Sequence, residues 1–212
     1  MLKGKFMRFS KISAITFIIF FLFVTSSIAE NEQRYVHFGL GFSIVKPANW
    51  SFALPEMNLV AIDKEFLNDE ELQNYLDNYT KDSFFSILQE QISDTEYAAS
   101  IRARVKKYKS YKGRSAVEIL EAMAKYFPES FNKYKLLQPP REVELSGFKS
   151  AHILFEYTVD LENNSFITLK SDVWIVPSGK YFFIIDAGTN HDDQSGKREE
   201  ILNILETLVI RG

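Results

Sequence analysis

Between Arg102 and Arg114 the chain sets seven cations in 13 residues, Arg102, Arg104, Lys106, Lys107, Lys109, Lys112 and Arg114, with no acid among them and with Tyr108 and Tyr111 interleaved. Such a run suits an anionic surface: a lipid headgroup, an acidic glycan or an acidic protein partner. The two tyrosines would serve as aromatic anchors. The structural alternative is a solvated, Lys-rich strand that discourages edge-to-edge pairing. The whole chain carries a formal net charge of −3, so the basic character is local.

Two other groupings invite chemistry. Gly39-Leu40-Gly41-Phe42 followed by an alternating run is how the carboxylate loop of a PDZ-like peptide binder begins, which needs free loop N–H groups and an adjacent edge strand. Against it, Pro47 cuts the strand short and Trp50 follows as an aromatic plug. In the structural reading Gly41 permits a tight backbone approach and Trp50 buries a large apolar area. The second grouping is His152 with Glu156, on one face of a long strand, where they would floor a cleft for a small-ligand binder or a hydrolase. Four residues apart at strand rise they lie about 13 Å from each other and cannot share a proton directly.

The remaining histidines are less informative. His191-Asp192-Asp193 supplies metal-type ligands, but neighbours in a polar loop rarely converge without partners from elsewhere. His37 stands just before the first strand. Nucleophile elbows, zinc-protease motifs and phosphate-binding Gly-rich loops are absent from the sequence. With no cysteine anywhere, thiol catalysis, disulfides and thiolate metal sites are excluded. The expected cofactor set is none, and no metal site is expected.

The elements that must position these groups follow from periodicity. A short first strand covers Phe42 to Lys46 and stops at Pro47. An amphipathic helix is expected over Leu67 to Tyr79. Phe84 to Gln91 and Ser100 to Lys109 read as strands, the second with Ile101, Ala103 and Val105 on one face and the cations on the other. Ser115 and Glu118 form a capping box ahead of a stripe of Val117, Leu120, Met123, Ala124 and Phe127. Pro128 should end or kink that helix, and Pro139-Pro140 should stop whatever continues beyond it. From Glu142 to Ala187, turns at Ser146-Gly147, at Glu162 to Ser165 and at Pro177 to Gly179 separate strands, which predicts an antiparallel meander. A closing helix near Ser195 to Val209 sets Ile201, Leu205 and Leu208 toward it. The pattern is α+β.

Gly41-Phe-Ser-Ile-Val-Lys-Pro-Ala-Asn-Trp50 resembles the opening of the PsbP-like and DcrB-like domains. Ser146-Gly147-Phe-Lys-Ser-Ala151 resembles the start of their central hairpin, and the final helix with Ile204 to Ile210 is similar to their close. The likeness spans roughly Tyr35 to Ile210. It implies a three-layer α/β/α sandwich with a central, mainly antiparallel sheet, in a family that is mostly non-catalytic and binds larger partners. It gives Gly41, Pro47, Trp50 and Gly147 structural roles and carries no catalytic residue over.

Residues 1–29 have a basic start, an apolar run and Ser27-Ile28-Ala29, which together read as a secretory signal peptide cleaved after Ala29. The apolar run of about 13 residues is short of the roughly 20 a membrane-spanning helix needs. A lipoprotein would need a cysteine at the cleavage point. Four of the 25 Lys+Arg and none of the 28 Asp+Glu lie in that segment, so residues 30–212 carry a formal net charge of −7. That balance disfavours nucleic acid as a partner. The expectation is a single domain over 30–212, periplasmic or secreted, with no membrane span. It would act as a non-catalytic accessory or assembly factor that binds an envelope or secreted protein.

Overall fold

In the computed structural model the described residues are 32–53, 83–89, 98–108, 111–160, 166–193 and 196–211. The signal segment ending at Ala29, the helix expected over Leu67 to Tyr79, the turn from Glu162 to Ser165 and Lys109 lie outside them.

Alternation decides the first elements. β1 (Gln33–His37) and β2 (Phe42–Lys46) pair antiparallel, with Tyr35, His37, Phe42, Ile44 and Lys46 turned inward. Between them a 3₁₀ turn, Phe38–Leu40, ends at Gly41 with φ 63°. β10 (Val209–Ile210) pairs with the other side of β2, so β2 is the central strand of a three-stranded sheet.

The remaining strands form a second, seven-stranded sheet. They are β3 (Trp50–Phe52), β4 (Phe85–Gln89), β5 (Ser100–Lys107), β6 (Asn132–Leu145), β7 (Phe148–Asp160), β8 (Phe166–Ser178) and β9 (Tyr181–Asn190). Their order across the sheet is β3-β4-β5-β9-β8-β7-β6, and every pairing is antiparallel. The meander expected from the turn residues is the half β6 to β9. Ser146 and Gly147, with φ 54° and 75°, make the two-residue β6–β7 turn, a geometry that favours glycine at the second position.

Each face of the large sheet carries its own core. On one face Ile153, Phe155, Ile175 and Ile184 pack under α1 (Ala116–Ala124), which contributes Ala116, Ile119 and Leu120. Burying Ile119 and Leu120 alone is worth about 1.5–3 kcal/mol each. The helix begins at the expected capping box: Ser115 Oγ accepts from the Glu118 N–H, and the Glu118 carboxylate accepts from the Ser115 N–H. Those bonds also hold the Glu118 carboxyl below the usual range. Pro128 falls in the first turn of α2 (Phe127–Ser130), a separate short helix.

On the other face Ile87, Ile101, Val105, Trp174, Phe183 and Ile185 meet both the three-stranded sheet and α3 (Lys197–Glu206). Tyr35, Phe42 and Ile44 come from the small sheet, and Ile201, Ile204 and Leu205 from the helix. The fold is thus an α+β sandwich of three layers, one outer layer mixing a helix with a small sheet. Among the described residues no helix is long and apolar enough to cross a membrane.

Two expectations are overturned. The strand Phe42–Lys46 is the second of the chain, since β1 precedes it and takes in His37. Pro139-Pro140 do not terminate an element; they lie inside β6. The register steps from Gln138↔Leu154 to Arg141↔His152, three residues on β6 against two on β7, so the prolines occupy an irregularity. β6 is the outermost strand, where a residue without an N–H is tolerated at a bulge.

Candidate functional site

The basic segment divides into two parts. Along β5, Ile101, Ala103 and Val105 are buried as the alternation requires, which sends Arg102, Arg104 and Lys106 to the opposite face. There Arg102 is paired across the ladder with Asp186 of β9. Its Nε lies 3.3 Å from the Asp186 carboxylate, and Arg104 Nη2 donates to the same group at 2.9 Å. These two arginines are therefore compensated within the fold. No local pattern signals this, because Asp186 is some 80 positions away and reaches them through the β5–β9 pairing.

The second part gathers around a cavity of about 650 Å³ at the end of β5. Lys107, Lys112 and Arg114 line it together with Lys180, which arrives on the β8–β9 turn because Lys107 and Tyr181 are register partners. Among the described residues no carboxylate lines the cavity. Tyr108 and Tyr181 form its aromatic walls, and Gly113 and Gly179 leave its rim without side chains. Tyr108 and Tyr111 do not project as free anchors. Both pack on Phe182, at ring separations of 5.4 and 5.9 Å, and Arg114 lies over the Tyr111 ring at 5.7 Å. Burial pushes the Tyr108 phenol up, so it stays neutral. Of the residues expected at the site, the fold unites Lys107, Tyr108, Lys112 and Arg114, with Tyr111 behind them, and separates Arg102 and Arg104. Lys106 is half-buried on the strand between the two groups. Lys180 and Tyr181 are the additions.

His152 and Glu156 do not floor an open cleft. His152 is 2% exposed and Glu156 7%. The His152 ring stacks on Trp174 at 4.9 Å, and its Nε2 donates to Asp172 Oδ1 at 2.6 Å. Arg198 of α3 grips the same carboxylate with two hydrogen bonds of 2.8 Å. Glu156 belongs to a separate group, 2.6 Å from His191 Nδ1 and 3.5 Å from Lys135 Nζ. His152 therefore lies beneath the Asp172–Arg198 pair and does not face solvent.

Asp193 is also committed. Its carboxylate accepts from the Lys197 and Arg198 N–H groups at 2.8 and 3.1 Å, capping α3 at its positive end. Among the described residues no cluster of three or more His, Asp or Glu is placed to hold a metal ion.

The Gly39–Phe42 loop cannot cradle a peptide carboxylate on its amides. Leu40 N–H donates to His37 Nδ1 at 3.2 Å and Gly41 N–H to the Phe38 carbonyl at 3.0 Å. β2, the strand a peptide would extend, is already paired on both sides. Gly41 is instead a point of backbone contact: a Cβ there would stand 2.2 Å from the Arg211 carbonyl oxygen.

His37, 1% exposed, is forced to remain neutral, because burial lowers its pKa from 6.5 to about 4. Between those values the unfolded chain binds the proton and the folded chain resists it. The stabilisation is fully present above pH 6.5 and is lost as pH falls toward 4, about 3 kcal/mol in all. Urea unfolding from pH 7 to 4 should show this slope. His37→Asn, which keeps an acceptor for Leu40 but cannot titrate, should remove it.

No family model matches the chain, and no curated protein matches it in sequence. Solved structures match it in fold. A protein of unknown function from Pseudomonas aeruginosa, described as a putative regulator, superposes with a TM-score of 0.50 at 10% identity, covering 86% of this chain and 99% of that one. LpqN of Mycobacterium tuberculosis, involved in cell envelope biogenesis, gives 0.50 at 15% identity over 89% and 97%. Cyanobacterial PsbP from Synechocystis gives 0.47 at 11% identity over 88% and 96%. What is shared at such identities is the sandwich.

Proposed function

We propose that this chain is an extracytoplasmic accessory protein that works by binding, and that the cavity walled by Lys107, Lys112, Arg114 and Lys180 receives an acidic surface of a protein partner. The observation that carries this reading is four cations around one cavity, with no carboxylate among its described lining residues, in a chain that is otherwise net acidic. Such a concentration of unlike charge steers a partner and fixes its orientation more than it adds raw affinity. The tyrosine walls supply flat apolar area beside the charges, a composition typical of binding hot spots. The sandwich shared with LpqN, a protein of envelope biogenesis, is consistent with a role outside the cytoplasm, as is the leader-like segment ending at Ala29.

The test uses Lys112→Glu, Arg114→Glu and Lys180→Glu together, all at exposed positions. Recovery of partner from the protein's own envelope fraction should drop at least about tenfold, with the thermal midpoint almost unchanged because the side chains face solvent. Wild-type recovery should also weaken between low and high salt, since exposed charges are screened within about 10 Å at 0.1 M. Undiminished capture by the triple variant would overturn the assignment. Arg102 and Arg104 are poor choices for this experiment, because removing them also strips Asp186 of its partners.

A further inference from the structure

A second cavity, of about 530 Å³, lies on the outer face of the three-stranded sheet, well separated in the sequence from the basic turn. Alternation that turns Tyr35 and His37 inward turns Arg34 and Val36 outward on β1, and Phe38 follows as the first residue of the 3₁₀ turn. Ser43 stands opposite Val36 on β2, and Val209 stands opposite Ser43 on β10. The result is an apolar strip with an arginine at each margin, Arg34 and Arg211. Phe38 is 45% exposed and Val209 40%, so both present apolar surface to solvent.

Among the described residues no carboxylate lines this cavity. Among the described residues Arg34 reaches neutral acceptors, Ser43 Oγ at 3.2 Å and the Thr207 carbonyl at 3.4 Å, which leaves most of its five donors unspent there. The wall bearing Arg211 is held firmly. Its N–H donates to the Gly41 carbonyl at 2.8 Å, and the absence of a side chain at Gly41 lets the two backbones touch. Two guanidinium groups with no acidic partner among the described residues, flanking an apolar strip in a cavity of ligand size, define a site for an apolar group that bears one negative charge.

We propose that this face binds a single-chain acyl carboxylate, with the carbon chain over Val36, Phe38 and Val209 and the carboxylate on one of the two flanking arginines, Arg34 or Arg211. A peptide carboxylate has the same charge but fits less well. Its amide groups would need backbone partners, and both edges of β2 are already paired. An acyl chain has no such groups to satisfy. This site is independent of the basic cavity, so either assignment can fail without the other.

The experiment is a titration of the protein with decanoate, followed by backbone amide NMR, with decanol and a hexapeptide ending in a free carboxylate as comparators. Saturable shifts at Val36, Phe38, Ser43, Val209 and Arg211 are expected with decanoate, at an affinity at least about tenfold above that for decanol, because a bidentate guanidinium–carboxylate contact is lost with the alcohol. Arg34→Gln with Arg211→Gln should remove that difference while leaving weak decanol binding. Phe38→Ser should weaken both ligands. Equal binding of decanoate and decanol, shifts elsewhere on the molecule, no saturation, or stronger binding of the peptide would each overturn the proposal.

Discussion

Replacing Asp172 with alanine is expected to lower the free energy of unfolding by about 3 kcal/mol, read from urea denaturation at pH 7. The Asp172 carboxylate is 3% exposed and answers two donors from different layers: His152 within the sheet and Arg198 on α3. Burial alone would push its pKa up. The hydrogen bonds from His152 and Arg198, with the charge of Arg198, outweigh that and hold it below the ordinary value. Removing the carboxylate leaves the Arg198 guanidinium over an apolar face and the His152 ring without its acceptor. Because the Arg198 side chain is still 29% exposed, water recovers part of the loss, which places the effect at the low end of the range for buried pairs. The pH dependence has a definite sign. A group with a depressed native pKa stabilises above its unfolded value, near 4, and the benefit disappears as pH falls through the native value. Wild type and Asp172→Ala should therefore differ most at neutral pH and converge in acid. Arg198→Ala should cost less, since Asp172 keeps His152. The double-mutant cycle should show a coupling above about 1 kcal/mol between residues in one network.

That network illustrates where sequence reasoning stops. Local grammar was legible throughout: the Ser115–Glu118 box, the Phe42–Lys46 alternation, the Ser146-Gly147 turn and the Ile201–Leu205 stripe each depend on residues within a few positions. His152 and Glu156 were recognised as polar members of a sheet face, but whether that face is open or covered depends on α3, some 40 residues later. The same holds for the basic segment. Its charges were plain in the sequence, while their partition into compensated arginines and a shared cavity follows from the placement of β9 beside β5. The error at Pro139-Pro140 has a different origin. The missing N–H was weighed correctly, but its consequence depends on whether that side of the strand needs a donor, and on an outermost strand it does not.

The largest single loss is expected from Trp50→Ala, about 4 kcal/mol, within the range for emptying a buried aromatic site. Trp50 is 1% exposed, and the sequence singled it out for its bulk as a plug. The structure adds a polar role. Its Nε1 donates to Glu200 Oε1 at 2.9 Å, and the same carboxylate accepts from Asn49 at 3.0 Å and, through Oε2, from Gln89 at 3.0 Å. The Trp50 carbonyl in turn accepts from Lys46 Nζ at 2.6 Å, and the Pro47 carbonyl from the same ammonium at 2.9 Å. One residue thus joins β2, β3 and β4 to α3, and bulk and hydrogen bonding can be separated. Trp50→Phe keeps most of the ring volume and deletes the N–H, so it should cost about 1–2 kcal/mol. Glu200→Ala leaves the ring in place and orphans the indole and Gln89 together, so it should cost about 2–3 kcal/mol, more than Trp50→Phe, because unpaired buried donors are more expensive than a lost bond. Should Trp50→Phe prove as damaging as Trp50→Ala in urea unfolding, the hydrogen bond to α3 outweighs the packing. If Glu200→Ala is neutral, Trp50 acts by volume alone and α3 is held by its apolar face.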